Sequence, residues 1–188
     1  MLSNVNQLLR ERRIAGGWAA AAIIPLANED CFPIVQKVRD EIRSAYVQAV
    51  DPDCVLNEDH LILLLQDVVS AHQYGYNKMN RVDSELLLVM TGVNNFEVAV
   101  KALAPKGKGD VVLVSFSAKR EEALASIRLF EKYARSRGRE LAFPNGDARL
   151  SKLLELYGIP ENSMTRLSEE ELTNVLVERG AVFYAKYR

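Results

Sequence analysis

Cysteine is scarce in this sequence, with only Cys31 and Cys54, and the two share no motif spacing. That excludes a disulfide framework and a Cys-x-x-Cys metal or redox pair. No leader with a charged head and an apolar middle opens the chain, so the expectation is an intracellular, cytoplasmic protein with reduced thiols, also nuclear if its host is a eukaryote. No apolar stretch approaches the roughly 20 residues that a membrane-spanning helix needs, residues 61–65 being the densest, and no membrane partner is expected. Charge of one sign is missing too: 24 Lys and Arg stand against 25 Asp and Glu, so any attraction for a polyanion must come from a local basic surface. Histidine occurs twice, and His60 and His72 lie more than three turns apart on one expected helix, too far to share a metal.

Glycine-rich phosphate loops are absent. The stretch TGVNNF at 91–96 has one glycine, and KGKGD at 106–110 leads into an expected strand, so neither supplies converging amides at a helix N-terminus. Gly-x-Ser-x-Gly is missing as well. Glu121-Glu122 and Glu169-Glu170-Glu171 fall in first helical turns, where the helix dipole accounts for them. No catalytic residue, cofactor or metal is therefore expected. One enzymatic alternative stays open, a small phosphate-ligand or nucleotide-using enzyme built around the Thr91-Gly92 turn.

What is present is enough for one sizeable core, since 48% of the residues are hydrophobic. Residues 2–13 predict a helix with Val5, Leu8 and Leu9 on one side, and Gly16-Gly17 stops it. Residues 18–24 form an unbroken apolar run bounded by glycine and Pro25, the pattern of a buried strand. Ile34, Val35, Val38 and Ile42 recur at helical spacing within 29–44. Residues 46–50 read as a short strand ended by Asp51-Pro52-Asp53. Asn57 is placed to cap a helix carrying Leu61, Leu64, Leu65, Val68 and His72 on one face, while Ile62, Leu63 and Val69 widen its stripe. That second face belongs either to the core or to a protein partner.

Residues 73–83 read as an ordered loop. Residues 86–90 show no alternation, as in a strand covered on both faces, and Thr91-Gly92 would join that strand to a helix with Phe96, Ala99, Val100 and Leu103 on one side, boxed by Asn94 and Glu97. A strand at 111–116, a long helix from Ser117, a short helix ending at Gly158, a helix capped by Ser168 and Glu171 and ended by Gly180, and a last strand at 181–187 complete the reading. The expected class is α/β, on the border of α+β: one domain with a small mixed sheet covered by helices, residues 18–188, behind a helical extension, 1–17.

Lys78, Arg81, Lys101, Lys106 and Lys108 come from neighbouring elements, with Tyr74 and Tyr76 among them. Cations with aromatic rings suit a single-stranded nucleic-acid end, phosphates on the charges and bases on the rings. The same composition also describes a solvated, mixed-charge rim.

The stretch NKMNRVDSELLLVMTGVNNFEVAVKALAPKGKGDVVLV, residues 77–114, resembles the kinase-binding subunit of the KEOPS complex, the family called PRPK-binding protein in animals. Glu85-Leu86-Leu87, Thr91-Gly92, Asn95-Phe96, Ala99-Val100 and Lys106 occupy the places of that family's pattern. Ala104 stands where the pattern has glycine, Phe96 where it has isoleucine, the 105–110 turn is a residue longer, and the N-terminal helix is extra. The resemblance implies a non-catalytic subunit that binds the small atypical kinase/ATPase subunit and helps recruit tRNA by its single-stranded CCA end, in an assembly that installs threonylcarbamoyl on adenosine. Under it, Lys78, Arg81, Lys101, Lys106, Lys108, Tyr74 and Tyr76 become the tRNA surface, and Ile62, Leu63 and Val69 a kinase-facing one.

Overall fold

The computed structural model describes residues 10–26, 30–105, 109–136, 147–160 and 167–187. The class is α/β: four strands are interspersed with the described helices along the chain, and others of these helices follow the last strand. Contacts gather into two compact units, Met1–Pro52 with Ala104–Ala142 and Asp53–Leu103 with Phe143–Arg188.

The first unit holds the sheet. Strands β1 (Arg10–Ile14) and β2 (Gly17–Leu26) form a hairpin in which Ile14 faces Gly17, and the turn needs the positive φ of Gly16, 74°. Helix α1 (Cys31–Glu41) follows, capped by the Asp30 carboxylate on Phe32 N at 3.0 Å. Strand β3 (Tyr46–Val50) and strand β4 (Gly109–Ser117) complete the order β1-β2-β4-β3. Every pair is antiparallel, where a mixed sheet was expected. The reason is that β4, late in the chain, inserts between β2 and β3, which apolar pattern alone does not reveal. A second correction concerns the N-terminal helix: residues 2–9 lie outside the described residues, but Arg10 to Ile14 is a sheet strand, because backbone pairing with β2 outweighs a helical reading of three arginines.

Alternate residues of the sheet face α1 and helix α5 (Arg120–Ala134). Ala20, Ala22, Ile24, Val47, Ala49, Val111 and Leu113 form one cluster with Ile34, Val35, Val38, Ile127 and Phe130. The alanines that argue weakly for a strand leave room here for helices to approach. Strand β4 runs through Ser117, the expected start of α5, and that hydroxyl donates to Glu122 at 2.7 Å. With Lys119 as a second donor, this holds the Glu122 carboxyl down to about 2.

The described α-helices of the second unit are α2 (Glu58–Tyr74), α3 (Val82–Thr91), α4 (Phe96–Leu103), α6 (Asp147–Leu156) and α7 (Glu169–Lys186), with no strand among its described residues. Two strands expected here are helices. Residues 86–90 lie in α3, which packs against α2, α4 and α7; with neighbours on several sides the helix is apolar all round and loses its period. Residues 181–186 extend α7, because Gly180 does not end it. A Cβ at Gly180 would overlap Leu64 and lie 3.1 Å from Val89, so glycine there allows close helix packing. Asn57 caps α2 on His60 N at 2.8 Å, and Ser168 with Glu171 forms the reciprocal box on α7, both as expected. For α4 the capping acceptor is Asn95, on Val98 N, one residue beyond the expected Asn94.

No described helix is long and apolar enough to cross a membrane. Helices α3 and α4 pass only as a pair, bent by 78°.

Candidate nucleic-acid interface

The loop after α2 begins where Gly75, at φ 76°, takes the left-handed cap conformation, its amide and that of Tyr76 returning to Ala71 O. Tyr74, 78% exposed, stands at the helix end. Tyr76 is half-buried, its ring meeting Tyr184 edge-on at 5.1 Å. Lys78 points its side chain to solvent while its amide turns inward, donating to both oxygens of Glu85 at 2.9 Å; Met79 N adds a third bond at 2.5 Å. Asn77 braces the turn by donating to Met79 O at 2.8 Å. Arg81 makes a bidentate pair with Asp83, at 3.0 and 2.8 Å.

Tyr76, Lys78 and Arg81 thus share one braced loop, and Tyr74 ends the helix before it. Lys101 is exposed on a different element, α4, and Lys106 and Lys108 lie outside the described residues. Tyr74 and Lys78 offer a ring and a cation at the surface, whereas Tyr76 and Arg81 are engaged within the fold. Behind the loop stand groups that sequence reading missed. Glu85 is fully buried and Asp83 nearly so, both in the first turn of α3, where the helix dipole favours negative charge. Burial, reinforced by neighbouring Glu85, raises the Tyr184 phenol, and burial holds His72 below its usual range although Glu85 and Asp83 pull it upward. The visible signal was a pair of acids opening an apolar run.

The expected partner face is not available as such. Ile62 and Val69 are 1% and 3% exposed, inside the helical unit, and Leu63 is half-buried, because α3 and α7 both pack on α2. The exposed apolar residues of this unit include Phe96, Val98 and Val182.

His60 is wholly buried. Its Nδ1 accepts from Leu56 N at 3.1 Å, so the neutral ring carries its proton on Nε2 and donates to Tyr157 Oη at 2.8 Å. Burial, helped by the nearby Arg149 charge, pushes His60 down to about 3. Among the described residues no group of three or more His, Cys, Asp or Glu could hold a metal. In the sheet unit, burial and Asp30 push the Cys31 thiol up to about 11, which keeps it protonated at neutral pH.

Gly92, at φ 65°, closes α3 rather than opening a helix, and its amide is bound to Val89 O. Thr91 and Gly92 line a cleft of about 310 Å³ with Tyr157, Gly158, Arg179 and Lys186. Two helices, α3 and α6, end there with their negative carbonyl ends.

No protein-family model matches the chain, and no curated protein does.

Proposed function

We propose that this chain is a non-catalytic subunit of a KEOPS-type assembly, binding its small atypical kinase/ATPase subunit and the single-stranded CCA end of tRNA, in support of threonylcarbamoyladenosine formation. The observation that carries this reading is the pattern in residues 77–114. The braced loop with Lys78 at the surface, after the exposed Tyr74 that ends α2, is in its favour, as the two have the chemistry for stacking a base and holding a phosphate. Such an assembly works in the cytoplasm, and also in the nucleus of a eukaryote.

The test is co-purification with the small kinase subunit, together with tRNA binding at low salt. Binding of intact tRNA exceeds that of tRNA lacking its CCA end, and Lys78→Gln reduces the slope of log affinity on log salt by about 0.7. A folded kinase subunit that does not bind the chain overturns the assignment.

A second reading, a phosphate-ligand enzyme at Thr91-Gly92, has one observation on its side: Arg179 and Lys186 in the cleft. Against it, the cleft receives helix C-termini, which repel phosphate, and the Gly92 amide is already bonded. Thermal stabilisation by ATP would favour this second reading.

A further inference from the structure

Glu85 is a carboxylate with no exposed surface, and a buried charge persists only where hydrogen bonds replace its water. Its bonds go backwards along the chain to the amides of Lys78 and Met79, in the loop that precedes its own helix. Helix α3 itself begins at Arg81 without a side-chain cap. Arg81 forks onto Asp83. The bonds from the Lys78 and Met79 amides to Glu85 fix the path of the loop. Lys78 has its backbone held from inside and its ammonium outside, and the neighbouring packing of Tyr76 on Tyr184 closes the same loop.

We propose that Glu85 is a positioning residue for the nucleic-acid interface: by clasping the Lys78 and Met79 amides it pre-forms the loop that presents Lys78, after the Tyr74 that ends α2, so a single-stranded nucleic-acid end binds a surface already ordered. This rests on the proposed function. A loop ordered beforehand loses less conformational freedom on binding, and that saving appears as affinity without any added phosphate contact.

The experiment uses the full chain with Glu85→Gln, which keeps size and removes the charge, and a CCA-ended single-stranded oligonucleotide as probe. Hydrogen exchange of the 75–81 segment accelerates, the cooperative melt persists, and oligonucleotide affinity drops about tenfold, the loss expected from ordering a residue or so on binding. The salt slope stays at the wild-type value because every cation remains, in contrast to Lys78→Gln. Met79→Pro removes one clasped amide and no charge, so it gives the same result if Glu85→Gln does not fold. Unchanged exchange in both variants overturns the clasp. Faster exchange with unchanged affinity overturns the positioning role. A wild-type chain that binds no oligonucleotide overturns the interface and this role with it, while failure of the kinase to bind bears on the assignment alone.

Discussion

Residues 19–24 of the sheet unit and residues 86–90 of the helical unit are both unbroken apolar runs, and no residue in either exceeds 4% exposure. The alanine-rich run, with the better helix former, is the strand; the Leu-Leu-Leu-Val-Met run is the helix. Intrinsic preference therefore agrees with the second run and is overridden in the first. The difference lies at the ends and in the neighbours. The first run is bounded by Gly17 and Pro25 and has a strand on each side of it. The second is opened by Asp83 and Glu85 and closed by a left-handed Gly92, the two termini of a helix.

The largest test of this comparison is to hollow each core. Phe130→Ala in the sheet unit and Phe183→Ala in the helical unit, both essentially unexposed, each lose about 3–5 kcal/mol in denaturant titrations. A loss near zero in one would mean that unit is not close-packed.

The glycines separate the two kinds of packing more finely. At Gly17 a Cβ would overlap the Ser117 carbonyl and approach Ala118 Cα at 3.0 Å, both backbone atoms in or beside a paired strand. Gly17→Ala is expected to cost about 3 kcal/mol. At Gly180 the obstacles are side-chain ends, and alanine recovers helix propensity, so Gly180→Ala costs about 1 kcal/mol net. Equal losses in thermal or urea melts would erase the distinction between backbone and side-chain contact.

A further effect is in pH, and it belongs to one unit, because both histidines lie in the helical one. His60 in the folded chain titrates near 3 against an ordinary 6.5, so between those values the unfolded chain binds the extra proton. Stability is complete above about pH 6.5 and is lost as pH falls, with a slope approaching about 1.4 kcal/mol per pH unit. His72, also lowered, acts in the same direction. Between pH 6.5 and 5, hydrogen-exchange protection, corrected for the pH dependence of intrinsic exchange, should fall in α2 and change little in α1 and α5, and His60→Gln should flatten most of the dependence. An equal loss of protection in both units would contradict this assignment.

The candidate interface was legible only at its surface. Tyr74, Lys78 and Arg81 are legible as cations near a ring in sequence, at the end of α2 and in the loop that follows. Glu85 stood out as a place in the family pattern, not as a buried hydrogen-bonding group. An acid in a helix's first turn needs no further account, and its bonds to residues 78 and 79 depend on how the loop folds back. Ile62 and Val69 were misread for the opposite reason: a widened apolar stripe looks the same whether a partner protein or the chain's own α3 and α7 will cover it.

The sequence by itself determined some of the boundaries: Asn57, Ser168 with Glu171, the Gly16 turn and the Asp30 cap act within a few residues, so their chemistry is local. Only the tertiary structure decided that 86–90 and 181–186 are helical, that β4 lies between β2 and β3, and that Gly180 is a packing point. Once a segment such as 86–90 is buried on every side its hydrophobic period disappears. Its conformation is then set by partners distant in the chain, which no local pattern encodes.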